Sequence, residues 1–375
     1  MRVEAEKIDG AGNRRPVADR PPATLDPPPD ESAGGGPRPE RRRASAGRAL
    51  LLRALLILAA GLALATAVAL SVGYAPIGLR SLWDDEAARL LFFRLRLPRV
   101  VLAGMVGASL AAVGVALQAL FRNSLAEPMT LGVSGGGALG ASLAIAFSAG
   151  ARVLGVPIVF IAAFAGAGAA MLVVYRLART GAVVMPGALL LAGVVINFIA
   201  ASFVIIVQYF TDYSRALQIL RWTIGSLDVV GFDLLWRMAL FLVPGWIALA
   251  VSARDLHLLA IDEETAASLG VNVRRSERVV YVAASMIVGV TVAIGGAIGF
   301  VGLIVPHAVR LLFGEDVRVV LPCSFLLGAA FLMLADAVAR TALGTGELPV
   351  GAITALVGGP VFLWLLKRQQ RLAAM

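Results

Sequence analysis

The sequence predicts an all-α polytopic membrane protein with about ten transmembrane helices, and three observations carry that expectation. Apolar residues make up 59% of the 375 positions and charged residues only 15%, too oily a balance for a water-soluble chain of this length. Apolar runs near or above the ~18 residues that mark a spanning helix recur along the chain. The alternation of an outer-membrane barrel is absent, and helices satisfy their own backbone hydrogen bonds inside lipid.

The same composition excludes several functions. A net charge of +9 would suit nucleic acid, but the basic residues fall in an N-terminal stretch and between spans, with no nucleic-acid-binding motif. One cysteine, Cys323, lies in an apolar run, which excludes a disulfide framework. His257 and His307 are far apart in sequence, so no metal centre and no cofactor is expected. The lysines, Lys7 and Lys367, follow Glu6 and Leu366. The Gly-Lys-Ser/Thr of a nucleotide-binding loop is therefore missing, and any ATP hydrolysis falls to a partner.

Residues 1–47 are rich in Pro, Gly and Arg with almost no aliphatic periodicity, as in Pro27-Pro28-Pro29 and Arg41-Arg42-Arg43. That predicts a disordered cytoplasmic tail ahead of a transmembrane domain over 48–375. The apolar run after Arg53 lies deep in the chain and leads into further spans, so it reads as a retained helix rather than a signal peptide. Ten spans are placed at Ala49–Val72, Pro98–Leu120, Thr130–Ala149, Gly155–Arg176, Gly187–Tyr209, Leu234–Ser252, Val279–Gly296, Gly299–Leu312, Val320–Leu343 and Gly351–Leu366. Hydropathy alone leaves the short eighth segment open between a span and a re-entrant piece. With ten spans, both termini lie on one side, and that side carries more than twice as many of the 33 Lys and Arg as the other. Positive charge inside then puts both termini in the cytoplasm. Arg99-Val100-Val101 ahead of Pro128 is echoed by Arg278-Val279-Val280 ahead of Pro306, a thin sign of two inverted-repeat-like halves.

Asp255 to Arg278 is the one long polar interruption of the oily region. Within it Ile261, Thr265 and Leu269 recur every four residues, Asp262, Glu263 and Glu264 lead, and Gly270 stands where a left-handed C-cap belongs. A helix of about two turns is unstable alone and must rest on the spans or on a partner. The run Leu258 to Val271 resembles the coupling helix of the FecCD-type permeases, membrane subunits of ABC importers for iron-siderophores, haem and cobalamin. That family usually has Gly where Asp262 stands. The resemblance assigns Ile261, Asp262, Glu263, Glu264, Ala266, Leu269 and Gly270 to ATPase coupling.

Three further stretches resemble the same family in the same order. Arg96-Leu97-Pro98-Arg99 and Arg340 match arginines that receive glutamates of a substrate-binding protein, a role suited to the bidentate guanidinium fork. Each alone would read equally well as a membrane-edge anchor. Met185-Pro186-Gly187 falls where these permeases close the pathway. Asn197, the clearest polar residue of the fifth span, lines that pathway or forms an interhelical hydrogen bond. Pro128, Gly299, Gly302 and Pro306 are expected as helix breaks, because glycine and proline make a poor continuous helix.

The resemblance covers about Leu50 to Leu366. It implies a cobalamin-importer type of permease that forms a homodimer, binds ABC ATPase subunits and a periplasmic or lipid-anchored binding protein, and has no ATPase site of its own. The rival readings are an ion-coupled secondary transporter, disfavoured by few intramembrane carboxylates (Asp336, with Glu127 and Glu347 near span ends), and a non-transporting scaffold, which has no need of glycine-broken spans.

Overall fold

The computed structural model describes residues 39–73, 81–147, 150–153, 155–180, 183–343 and 346–373. Compactness divides the chain into Met1–Gly47 and Arg48–Met375. Of the tail predicted over 1–47, residues 1–38 lie outside the described residues, and 39–47 are helical, in keeping with the strong helix propensity of Arg and Ala.

The helices run in order α1 (Pro39–Ser71), α2 (Ser81–Asp84), α3 (Glu86–Leu91), α4 (Leu97–Leu120), α5 (Val133–Phe147), α6 (Ile158–Ala178), α7 (Pro186–Tyr209), α8 (Tyr213–Ile224), α9 (Asp233–Val251), α10 (Ala253–Ile261), α11 (Glu263–Ser268), α12 (Val273–Gly295), α13 (Val301–Phe313), α14 (Val317–Thr341) and α15 (Val350–Ala373). Among the described residues seven helices are long and apolar enough to cross a membrane. Three shorter apolar helices, α5, α13 and the Val350–Trp364 part of α15, stand at the remaining expected positions.

One helix organises the rest. The spanning window of α4 is 89% buried, against 22% for that of α1 and 17% for that of α7, so α4 is the axis about which the others wrap. It packs on α12, α13 and α14. Close approach is possible because Gly114 faces the backbone of Gly302, where a Cβ on either residue would overlap the other chain segment or the Pro128 ring.

Both halves contain a long helix, an unwound stretch and a short helix: α4 with α5, and α12 with α13. The two breaks meet, since the Glu127 carboxylate of the first accepts the Phe300 N–H of the second. Pro128 opens a short 3-10 turn, and Gly299 lies in the unwound stretch. Gly302 and Pro306 do not break the chain; both lie inside α13. Pro306 has no N–H to return to the carbonyl four residues back. That carbonyl, Gly302 O, instead accepts from Gln118 Nε2 of α4 at 3.1 Å, so the proline's defect becomes an interhelical bond.

Other elements were not foreseen. α3 continues through a π-helical turn (Phe92–Arg96) into α4, carrying the second span back to Glu86. α8 is capped by Asp212, which accepts from Arg215 N at 3.0 Å, and Arg215 Nη1 donates to Ala146 O at 2.6 Å near the end of α5. Two short antiparallel pairs, Arg152–Val153 with Val156–Pro157 and Arg179–Thr180 with Val183–Val184, tighten the turns before α6 and α7.

Candidate functional site

At one end of α4, residues from four parts of the sequence form a charged cleft of about 530 Å³. Arg96 and Arg99 are three apart and so share a helical face. Arg340 lies four residues after Asp336 on α14, and the two side chains pair at 2.9 Å (Nε to Oδ2). The other oxygen of Asp336 accepts from Arg99 Nε at 3.0 Å. Asp336 is completely buried. A buried carboxylate is tolerated when it is paired and hydrogen-bonded, and here two guanidinium groups hold it.

The remaining donors are engaged as well. Arg340 Nη1 and Nη2 donate to Val72 O and Ala69 O at 3.0 and 3.1 Å, and Arg96 Nη1 donates to Leu70 O at 3.3 Å. These are carbonyls at the C-terminus of α1, which its own ladder leaves unsatisfied. Arg96 and Arg340 therefore cap α1, and positive charge at that end complements the helix dipole. Arg99 reaches outward: Nη1 lies 2.7 Å from Glu347 Oε2 and 3.4 Å from Asp228 Oδ1, both on exposed side chains. The three predicted arginines are thus together, but embedded among three acids. Sequence reasoning did not pair them; the Asp336/Arg340 spacing of four on one helix was the available signal.

At the other end of α4, the predicted docking stretch forms two helices rather than one. Asp262 is extended (φ −165°) and serves as the C-cap of α10 and the N-cap of α11. Its Oδ2 accepts from Thr265 N at 2.9 Å and Thr265 Oγ1 at 3.1 Å. Those bonds hold its carboxyl below the ordinary carboxylate range. Asp caps better than the family's Gly, because it supplies the oxygen that glycine lacks. Gly270 adopts φ +86°, and the bonds Gly270 N to Ala267 O and Val271 N to Ala266 O complete a Schellman closure. Ala266 is buried, whereas Ile261 and Leu269 are 63% and 57% exposed, with Glu263 and Glu264 in the solvent beside them. Arg122, just beyond α4, lies 3.8 Å from Asp262.

The predicted pathway residues sit on α7. Met185 is its N-cap and is exposed; its N–H donates to Ala178 O at 3.1 Å. Pro186 occupies the first helical position, and its side chain lies outside the described residues. Asn197 is two turns or more further along. Its Oδ1 accepts from Gly135 N at 2.9 Å and Ser134 Oγ at 3.3 Å, while Nδ2 donates to Met129 O at 3.0 Å. The side chain thus bonds across from α7 to both sides of the 3-10 turn ahead of α5.

Residues 53–368 match the FecCD transport family. The chain belongs to the FecCD transport family. Among its relatives, the hemin transport system permease HmuU of Yersinia pestis is 38% identical over 326 residues, covering 86% of this chain and 96% of HmuU. The vitamin B12 import system permease BtuC of Shigella boydii serotype 18 is 38% identical over 323 residues, 85% of this chain and 96% of BtuC. An uncharacterised ABC transporter permease of Bacillus subtilis, YvrB, is 40% identical over 291 residues, 77% of this chain and 82% of YvrB. A solved structure described as an inward-facing conformation of a metal-chelate type ABC transporter superposes with a TM-score of 0.73 at 31% identity, covering 84% of this chain and 99% of that one. As a FecCD member the chain is a multi-pass membrane permease of an ABC importer, whose ATPase is a separate subunit and which works with a substrate-binding protein.

Proposed function

We propose that the chain imports haem, cobalamin or an iron chelate across a bacterial inner membrane, as the membrane subunit through which the ligand passes. The named activities of HmuU and BtuC support that substrate class. Both termini face the cytoplasm in this reading, α11 docks the ATPase on that side, and the Arg96, Arg99 and Arg340 cleft receives the binding protein on the other. Two copies enclose the pathway. The many large apolar side chains exposed along α7, among them Leu191, Phe198 and Ile205, support a surface covered by lipid or a second copy.

The observation that carries this reading is that one buried helix, α4, bears Arg99 near one end and meets the α11 cap through Arg122 just beyond the other. Arg99 opens α4 and Arg122 follows its end, where it meets Asp262. A helix of 24 residues is about 36 Å long at ~1.5 Å per residue, enough to cross the bilayer core. Movement of α11 by an ATPase would therefore bear on the element that reaches the opposite face. Met185 and Pro186 start α7 on the cytoplasmic side, where closing the pathway requires bulk. Copurification of the permease with a candidate ATPase, followed by comparison with Leu269→Asp, tests the docking surface. Retention of the ATPase by the variant, with unchanged transport, overturns it.

A further inference from the structure

A second cavity lies on the α11 side of the protein, apart from the Arg99 cleft. It opens between α6 and α12, has a volume of about 620 Å³, and combines an apolar floor with a basic rim. Phe164, Gly168, Met171 and Leu172 of α6 and Val282 and Met286 of α12 form the floor. Arg179, immediately after α6, and Arg274 and Arg278, in the first turns of α12, form the rim, with Glu277 as the one acid. From Phe164 to the end of α6 the groove runs about 21 Å at ~1.5 Å per residue, somewhat more than half of the ~30 Å hydrocarbon core. Two of the floor residues, Leu172 and Val282, are half exposed or more.

Tyr281 lines the cavity and is only 6% exposed, and among the described residues its buried hydroxyl has no hydrogen-bond partner. The ring packs edge-on against Tyr175 (centroids 5.7 Å apart) and tilted against Phe121 (6.0 Å). A buried donor without an acceptor calls for an explanation. We infer that the groove between α6 and α12 is a binding site for an anionic phospholipid: an acyl chain lies along the apolar floor and its phosphate meets the three arginines. Basic pockets between spans suit such headgroups, because three guanidinium groups against one carboxylate leave excess positive charge at the interface.

The assignment to the leaflet beside α11 rests on the orientation proposed above, whereas binding itself does not. The test is native mass spectrometry of the purified permease in detergent, titrated separately with phosphatidylglycerol and phosphatidylcholine, each with and without millimolar inorganic phosphate. The expected result is a phosphatidylglycerol adduct that exceeds the phosphatidylcholine adduct and survives phosphate. Removing two arginines in Arg274→Gln/Arg278→Gln should weaken it about twenty-fivefold, at about fivefold per interfacial arginine. Gly168→Leu provides a second variant, since a Cβ there meets nothing within 4 Å and the added side chain would occupy the floor. It should abolish the adduct at an unchanged melting temperature. Equal occupancy by both lipids, an adduct indifferent to both variants, displacement by phosphate, or a copurifying polypeptide filling the groove would each overturn the inference. Absence of a phosphatidylglycerol adduct from the parent protein, with intact ATPase retention, would count against this site alone.

Discussion

Arg99 Nε of α4 donates to Asp336 Oδ1 of α14 at 3.0 Å, joining residues 237 positions apart. Because Arg340 holds the other oxygen, Asp336 is the buried counter-ion of two arginines. Asp336→Asn should lower stability by about 3–5 kcal/mol, the usual cost of leaving buried charge uncompensated. Arg99→Ala should cost less, since Arg340 still pairs the acid. Thermal unfolding of the purified permease reads both, and equal melting temperatures for Asp336→Asn and the parent protein would refute the counter-ion role.

In the proposed docking, the binding protein would compete with Glu347 for Arg99. Glu347→Gln should therefore tighten docking, because it lessens the charge already paired with the guanidinium at 2.7 Å. Arg99→Glu should weaken docking more than Arg99→Ala, since a like-charge contact adds repulsion to the lost attraction. The same change at exposed Arg152 should have little effect. Affinity should fall with salt, as exposed charges are screened over about 8 Å at physiological ionic strength. Affinities measured across a salt series decide the matter; equal effects at Arg152 and Arg99 would make the arginines structural alone.

The closure of α11 depends on a backbone conformation that only glycine adopts at low cost. Gly270→Ala meets no neighbouring atom, so its effect isolates the φ +86° geometry, at about 1–2 kcal/mol for a left-handed L-residue. Weaker ATPase coupling with normal membrane insertion is expected. Full coupling in this variant would show that the C-cap does not set the docking surface.

Acid should loosen the same helix from its other end. The folded Asp262 carboxyl lies below its ordinary value, chiefly through the backbone and hydroxyl bonds of Thr265. Its capping contribution is thus fully present above the unfolded carboxylate value of about 3.9 and is lost as pH falls through the lower folded value. Asn also caps but does not titrate there. Hydrogen exchange of the Thr265 amide should accelerate at low pH in the parent protein, beyond the acid trend of Asp262→Asn. Identical pH profiles would remove Asp262 as the titrating cap.

Much of this architecture was legible because lipid imposes simple rules. Long apolar runs reported the spans directly, and the Asp262-to-Gly270 pattern reported both caps of α11. The split at Asp262 was hidden because Ile261, Thr265 and Leu269 keep helical spacing across it. Pro306 looked like a break, yet Gln118 supplies a donor to the freed Gly302 carbonyl and α13 continues. The acids around Arg99 come from α14 and two loops, and tertiary pairing of that kind leaves no local spacing to read. α8 escaped notice because its 12 residues mix polar and apolar faces and fall below the length of a span.

The most direct test of the account is uptake into proteoliposomes containing the permease and its ATPase, with the binding protein outside and haem, cobalamin or a ferric chelate as the labelled ligand. Uptake is predicted to require ATP hydrolysis and the binding protein, to ignore an imposed proton or sodium gradient, and to stop in Leu269→Asp. Uptake driven by such a gradient with no ATPase present would contradict it.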